Sequence, residues 1–326
     1  MRKRLSLSAY SEGILSGDRV VLSRAITLIE SSLPEDRDLA DRLLENLLPH
    51  TGKAERIGIT GAPGAGKSSF IEAFGTALTD EGHRVAVLAV DPSSQHSGGS
   101  ILGDKTRMET LARNPRAYIR PTPSSLTLGG VARQTRETML LCEAAGYDIL
   151  LIETVGVGQS ETQVREMVDC FFLLLLAGAG DELQGLKRGI MELADLLIVT
   201  KDDGDNRARV ATAVRDYAHA LHFLPRSPSG WTVPVLSSSI LADESIRTIR
   251  EQTRSYFDFI QKNEFFSRQR EEQNLSWMHA FIRRQLEARF YANPLIQRRL
   301  HDLEEQVRQG VIPPVSAAKR LFSEEK

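Results

Sequence analysis

The sequence has few of the features that mark secreted or membrane proteins. It contains two cysteines, Cys142 and Cys170, which lie too far apart to form a metal-ligand pair, so burial in a reducing compartment is the expected reason for both. The most apolar run, Cys170–Gly180, is shorter than the roughly 20 residues that span a bilayer. The basic, serine-rich N-terminus lacks an apolar core of signal-peptide length. We expect a cytoplasmic protein without a membrane contact.

An excess of charge of one sign is also absent. The net charge of −2 over 326 residues gives no global field that would attract nucleic acid or an anionic membrane. The composition, 41% hydrophobic and 26% charged, is ordinary for a globular protein. The length allows one large domain with attachments, or two domains.

Short apolar runs alternate with helical patterns through the middle of the chain. Residues 1–50 have apolar residues at helical spacing, which predicts an N-terminal helical segment. Seven runs then follow, and most are continuously apolar, which is typical of strands buried on both faces of a mainly parallel sheet. The runs are RIGIT, RVAVLAV, AYIR, YDILLIE, CFFLLLLA, DLLIVTK and VPVLSS. We predict an α/β domain over residues 51–262, with ligands bound beyond the carboxyl ends of the strands.

The strand pattern stops after about Asn263. Met278, Ile282, Leu286 and Phe290 recur every four residues, and a second apolar stripe follows Pro294. These patterns predict a helical C-terminal arm over residues 263–326. The arm can pack on its own domain or against a second copy of the chain, and the sequence leaves both open.

A glycine-rich segment follows the first apolar run. It matches GxxxxGK[ST], with a predicted strand before it and a predicted helix after it. Its backbone N–H groups and the helix N-terminus favour phosphate oxygens. We expect Lys67 to reach the β- and γ-phosphates and Ser68 to bind Mg²⁺. The predicted phosphate-binding residues are Gly61, Ala62, Pro63, Gly64, Ala65, Gly66, Lys67, Ser68 and Ser69.

A second motif indicates which base is bound. The residues from Thr200 to Asp203 match the guanine-reading form [NT]KxD at the end of a predicted strand. A carboxylate at Asp203 can accept hydrogen bonds from guanine N1–H and its 2-amino group, and adenine would leave it unpaired. Lys201 would pack on the base plane. The segment Ser238, Ser239 and Ile240 either gives backbone N–H groups to guanine O6 or is an ordinary serine-rich loop.

Acidic residues follow two other strands. Glu153 ends one run and is followed by Gly156, the pattern of a metal-binding acid and a glycine that bonds the γ-phosphate. Asp91 and Asp104 flank a glycine- and serine-rich stretch after another run. With Ser68, the three acids form a plausible oxygen shell for Mg²⁺. The expected cofactors are therefore GTP or GDP and Mg²⁺.

Catalysis is expected to be slow without a partner. Val157 stands where Ras-like proteins have the glutamine that orients water, and Gln159 is a candidate two residues later. We predict basal hydrolysis on the order of 10⁻⁴–10⁻² s⁻¹, accelerated by a partner. The candidate catalytic residues are Lys67, Asp91, Asp104 and Glu153. The roles of Lys105, Arg107 and Gln159 stay open.

These motifs occur in one order. Together with AGAGDELQGLKRGI, they closely resemble the MeaB/ArgK family of GTPases, the family of the human methylmalonic aciduria type A protein. The resemblance implies a homodimeric P-loop NTPase of the SIMIBI class, with a C-terminal dimerisation arm. It also implies a chaperone for an adenosylcobalamin-dependent acyl-CoA mutase, chiefly methylmalonyl-CoA mutase, that gates loading by a cobalamin adenosyltransferase. Asp181, Gln184 and Lys187 fall in the family's additional switch, which couples nucleotide state to the mutase.

Two residues depart from the family pattern, and two other functions compete. Thr200 stands for the usual Asn, and Ile240 for a small residue, which affects expected nucleotide affinity rather than base identity. A kinase or ATPase linked to amino-acid transport would need tolerance for ATP, against which TKxD argues. A metal-insertion GTPase would need a His/Cys relay, whereas the seven histidines do not cluster in sequence.

Overall fold

The computed structural model describes residues 4–90, 108–122, 128–154, 160–178 and 188–323. The chain forms two compact units, Met1–Ser267 and Arg268–Lys326. The limits predicted from the sequence, residues 1–50, 51–262 and 263–326, stay predictions. Among the described residues, no helix has both the length and the apolar character needed to cross a membrane.

The larger unit contains a parallel sheet of seven strands within the described residues. The strand order is β3-β2-β4-β1-β5-β6-β7, and every pair of neighbours is parallel. Each of the seven apolar runs is a strand, so the predicted α/β architecture is confirmed. The strands are β1 (Glu55–Gly61), β2 (Val85–Val90), β3 (Ala117–Thr122), β4 (Ile149–Thr154), β5 (Cys170–Leu176), β6 (Leu196–Thr200) and β7 (Val235–Ser238).

Helices connect and cover the strands within the larger unit, and the last helices of the chain belong to the smaller unit. Local signals start several of them: the Asp18 carboxylate accepts from the N–H groups of Val20 and Val21, and Pro34 occupies the first position of α3. The helices are α1 (Leu7–Leu15), α2 (Arg19–Glu30), α3 (Pro34–Leu47), α4 (Lys67–Asp80), α5 (Glu109–Arg113), α6 (Leu128–Ala144), α7 (Ser160–Arg165), α8 (Arg188–Met191), α9 (Arg207–Leu221), α10 (Asp243–Lys262), α11 (Phe265–Ala292), α12 (Pro294–Arg308) and α13 (Pro314–Ser323).

Alternation along the strands divides the apolar core between the two faces of the sheet. On β2, Ala86 and Leu88 pack with α2, α3 and α6. Val85 and Val87 point the other way and pack with α4 and α10. Both faces are buried, which explains why the strands read as continuous apolar runs. Cys142 and Cys170 are free and buried in this core, so burial is the observed environment of both.

Aromatic packing fixes helix α4 against the sheet. The Phe70 and Phe74 rings stack with centroids 5.4 Å apart, and the Phe172 ring of β5 lies edge-on to Phe74 at 5.7 Å. Such pairs add to the burial energy by about 0.5–1.5 kcal/mol each. The N-terminus of α4 is thereby held at the carboxyl end of β1.

A buried ion pair fixes α7 near the amino ends of strands β5 and β6. Arg165 donates to the Asp195 carboxylate at 2.8 Å, and the Phe171 N–H donates to the same carboxylate at 2.9 Å. Asp195 is 1% exposed, and removal of one partner of such a pair leaves an uncompensated buried charge. The end of the helix that follows β4 is therefore fixed to the starts of β5 and β6.

The smaller unit is helical in its described part. The Phe290 ring of α11 stacks on Phe322 of α13 at 4.8 Å, and Ile296 of α12 is buried. Other apolar residues of α11 are exposed instead. These are Leu275, Met278, Phe281, Ile282 and Leu286.

Candidate nucleotide-binding site

The glycine-rich loop lies between β1 and α4, as its flanks predict. Gly66 has φ 81° and precedes the helix as its N-cap, a left-handed conformation that glycine adopts without strain. Gly61 is needed for a different reason, because a Cβ there would lie 2.4 Å from the Leu174 carbonyl oxygen. The loop therefore combines one close backbone approach, at Gly61, with two left-handed glycines, Gly64 and Gly66.

The mouth of the loop is an anion-binding environment. The first N–H groups of α4 have no partner within the helix and carry its positive dipole end. Lys67 Nζ donates to the Gly61 carbonyl oxygen at 2.8 Å and to that of Ala62 at 3.3 Å. Burial lowers the pKa of the Lys67 ammonium below its ordinary value, and the carboxylates of Glu153 and Glu161 oppose this shift. An anion at the loop would stabilise this desolvated cation.

Glu153 lies beside the loop at the end of β4. The Ser68 hydroxyl donates to its carboxylate at 3.0 Å, and Glu153 is 6% exposed. One residue on, the Thr154 hydroxyl donates to that of Thr60 at 2.7 Å, which joins the ends of β4 and β1. The structure thus brings together Ser68 and Glu153, two oxygen donors of the kind that Mg²⁺ prefers.

The remaining predicted metal and switch residues lie outside the described residues. They are Asp91, Asp104, Gly156, Asp181, Gln184 and Lys187, together with Lys105, Arg107, Val157 and Gln159. Within the described ranges, no cluster of three or more His, Cys, Asp or Glu side chains could hold a metal.

The strand ends that lead to these residues are described. Val90, which precedes Asp91, pairs in register with Thr154, the residue after Glu153. After the undescribed stretch, Met108 is fully buried and the Thr110 N–H donates to the Glu72 carboxylate of α4 at 2.8 Å. The last described residue before this stretch therefore lies beside the end of β4, and the first described residues after it contact the phosphate-loop helix.

The TKxD segment follows β6, at the same carboxyl ends of the strands as the glycine-rich loop. Thr200 is buried, and its hydroxyl lies 2.9 Å from the Ala65 carbonyl oxygen and 3.1 Å from that of Leu175. The Thr200 hydroxyl thus presents a donor to the glycine-rich loop. The TKxD pattern indicates the residue, whereas this bond depends on the fold.

Two serines at the end of β7 hold the acids of the same segment. The Ser239 hydroxyl donates to the Asp203 carboxylate at 3.2 Å, and the Ser237 hydroxyl donates to that of Asp202 at 2.6 Å. The Ile240 side chain is 51% exposed. Asp203, Ser238, Ser239 and Ile240 thus lie together at the ends of β6 and β7. The sequence does not predict the Ser237–Asp202 pair, and the three consecutive serines are the only sequence feature that points to it.

Comparison with known proteins agrees with this geometry. The family described as methylmalonyl Co-A mutase-associated GTPase MeaB matches residues 22–295. A putative GTPase of Caulobacter vibrioides is 50% identical, with 98% of each chain covered. A mitochondrial methylmalonic aciduria type A homolog of Mus musculus is 45% identical, over 95% of this chain and 77% of that protein.

A solved structure is also similar throughout its length. The crystal structure of an LAO/AO transport system kinase superposes with a TM-score of 0.78 at 38% identity, and 98% of each chain is covered. Three observations indicate the same class of protein. They are the fold shared with this structure, the glycine-rich loop between β1 and α4, and the relatives described as GTPases. The chain therefore belongs to the family of methylmalonyl Co-A mutase-associated GTPases named MeaB, and it is a P-loop GTPase.

Proposed function

We propose that this GTPase is a nucleotide-dependent chaperone of an adenosylcobalamin-dependent acyl-CoA mutase, namely methylmalonyl-CoA mutase. In this role it regulates cofactor loading by a cobalamin adenosyltransferase and protects the mutase from inactivation. The observation that supports the GTP site is the hydrogen bond of Thr200 to Ala65, which joins the TKxD segment to the glycine-rich loop. The family description and the methylmalonic aciduria type A relatives support the mutase as partner.

The triphosphate lies in the loop from Gly61 to Ser69 in this proposal. Lys67, whose charge is poorly solvated, binds the β- and γ-phosphates, and Gly156 donates to the γ-phosphate. Ser68 and Glu153 hold Mg²⁺, with Asp91 and Asp104 completing the acidic set. These oxygen donors fit the ion, which when bound neutralises phosphate charge. Hydrolysis is slow until a partner completes the site.

The base lies at the ends of β6 and β7 in this proposal. Asp203, oriented by Ser239, accepts from guanine N1–H and the 2-amino group. Lys201 covers one face of the base, and the backbone from Ser238 to Ile240 faces O6. Because adenine would leave the Asp203 carboxylate unpaired, GTP is preferred over ATP.

Two further parts of the chain are proposed to contact partners. The segment with Asp181, Gln184 and Lys187 couples nucleotide state to the mutase. The exposed apolar residues of α11, such as Ile282 and Leu286, pack against a second copy of the chain to form a homodimer. Exposed apolar stripes of this kind are typical of interaction surfaces.

The decisive experiment is a pull-down with purified methylmalonyl-CoA mutase. The chain is loaded with GDP or with a non-hydrolysable GTP analogue, and GTP and ATP turnover are measured with and without the mutase. We expect binding that depends on the nucleotide and GTP turnover that the mutase raises. Lys67→Ala serves as the variant that cannot respond to nucleotide. Mutase binding that is absent, or equal in both nucleotide states and in Lys67→Ala, would refute the chaperone role and leave the GTPase intact.

A second candidate function comes from the solved relative described as an LAO/AO transport system kinase. A kinase would transfer the γ-phosphate to a protein or small-molecule acceptor rather than to water. The same turnover assay distinguishes the two, because a kinase would release less inorganic phosphate than GDP when its acceptor is present. Equal release of phosphate and GDP supports the GTPase.

A further inference from the structure

Lys201 has a backbone conformation that residues with a side chain rarely adopt. Its φ is 62°, and Glu264 is the only other non-glycine residue of the described ranges with a positive φ. The left-handed conformation brings Cβ close to the following carbonyl oxygen, so it persists only where the surroundings hold it. The hydrogen bonds around Lys201 therefore identify the residues that hold it in this conformation.

The peptide unit between Lys201 and Asp202 is hydrogen-bonded at both of its polar groups. The Asn206 side-chain amide donates to the Lys201 carbonyl oxygen at 2.8 Å. The Asp202 N–H donates to the Ser238 carbonyl oxygen at 3.0 Å. Because the C=O and N–H of a planar trans peptide point in opposite directions, the two bonds fix the orientation of its plane. The orientation of this peptide plane determines the direction in which the Lys201 side chain projects from the backbone.

A short turn brings Asn206 back to Lys201. Gly204–Asn206 forms one turn of 3₁₀-helix, and the Asn206 N–H donates to the Asp203 carbonyl oxygen at 3.1 Å. Gly204 has φ 50°, a conformation for which glycine carries no penalty. The segment from Lys201 to Asn206 thus closes on itself, and the Asn206 side chain completes the closure.

Ser237 holds the same segment from the other side. Its hydroxyl donates to the Asp202 carboxylate at 2.6 Å, a short distance typical of a bond to a charged acceptor. Ser239, two residues on, holds Asp203. Asp202 is therefore directed to the end of β7, and its neighbour Asp203 is the acid placed for the base.

We propose that Asn206 and Ser237 are positioning residues for guanine recognition. Acting through the Lys201–Asp202 peptide and the Asp202 carboxylate, they set where Lys201 and Asp203 meet the base. The inference rests on the proposed function for the guanine site alone and is independent of any partner. An Asp203 that shifts loses its bond to the guanine 2-amino group, a group that hypoxanthine lacks. Asn206 and Ser237 therefore control the preference for guanine over hypoxanthine.

The test is the affinity of the full chain for GDP, IDP and ADP, measured by titration calorimetry. We expect Asn206→Ala and Ser237→Ala each to reduce the GDP-to-IDP preference by about tenfold, the loss of roughly one hydrogen bond to a charged group. The double variant loses less than the product of the two factors, because both act on one loop. Asp205→Asn, an exposed neighbour in the same turn, keeps the wild-type preference.

The outcomes separate this inference from the guanine site itself. Variants that weaken GDP and IDP by the same factor, or that leave both unchanged, would overturn the positioning role. A wild-type chain that binds GDP and ADP equally would instead refute the guanine assignment. If Asn206→Ala does not fold, Asn206→Asp keeps the size of the side chain, replaces its donor by an acceptor, and gives the same readout.

Discussion

The hydroxyl of Thr200 and the carbonyl oxygen of Ala65 lie 2.9 Å apart, although 135 positions separate the two residues in the chain. The same hydroxyl lies 3.1 Å from the Leu175 carbonyl oxygen. A single buried hydroxyl therefore joins the TKxD segment both to the phosphate loop and to strand β5. Since neither carbonyl is on the same element as Thr200, the bond registers three parts of the site against one another.

Replacement of this donor is expected to affect both stability and binding. Thr200→Val keeps the shape and removes the hydroxyl, so buried carbonyl oxygens lose their donor. We expect unfolding free energy to fall by about 1–2 kcal/mol and GDP affinity by about tenfold. Chemical denaturation and titration calorimetry measure the two effects. Thr200→Ser, which retains the hydroxyl, serves as the control, and a valine variant equal to it in both measurements would make the bond incidental.

The Ser68–Glu153 contact leads to a prediction about magnesium. Glu153→Gln keeps the side-chain size but removes the charge beside Ser68. We expect the Mg²⁺ concentration needed for GTP binding and turnover to rise by about 10–100-fold. GDP binding without Mg²⁺ is expected to change little, because the Lys67 ammonium and the helix N-terminus remain. The measurement is a Mg²⁺ titration of nucleotide binding and phosphate release.

A matched control separates the metal effect from a general loss of charge. Glu45→Gln removes one exposed carboxylate on α3, in the N-terminal helical segment, and is expected to behave as wild type. If Glu153→Gln shows the wild-type Mg²⁺ dependence, Glu153 is a structural acid and not part of the metal shell.

Glu55, at the start of β1 and remote from the phosphate loop, leads to a prediction about pH. Burial, with smaller contributions from Asp169 and Asp148, raises the pKa of its carboxyl group from 4.5 to about 7, against opposing effects of His83 and Arg254. The folded state therefore binds the proton more tightly than the unfolded state. This contribution to stability is complete below about pH 4.5 and is lost as the pH rises through about 7.

The variant Glu55→Gln tests this sign. At pH 8 we expect it to be more stable than wild type by about 1–2 kcal/mol, less than the full shift implies because the half-buried group is partly solvated. At pH 4.5 the two proteins are expected to have the same stability. Calorimetric melting temperatures of the nucleotide-free chain across this range provide the measurement. A constant difference at every pH would show that the charge of Glu55 is not responsible.

Local patterns account for the parts of the fold that the sequence predicts correctly. Each strand is a short continuous apolar run, and the phosphate loop is a contiguous motif with the expected strand and helix on either side. The bonds of Thr200 to Ala65 and of Ser237 to Asp202 depend instead on which strands become neighbours and where they end. No local pattern contains that information. The positions of Asp91 and Asp104 lie outside the described residues and stay predictions.

The N-terminal helices have a consequence for how short the working protein can be made. Leu22, Ile26 and Leu43 belong to the same buried cluster as Tyr118 of β3 and Leu150 of β4. The helices that carry the first three residues form part of one wall of the catalytic core, although they precede every motif. A chain shortened to begin at residue 51 would retain every predicted nucleotide-binding residue. Without these helices, the face of the sheet that they cover would be exposed to water. That face includes Leu150 of β4, the strand that positions Glu153.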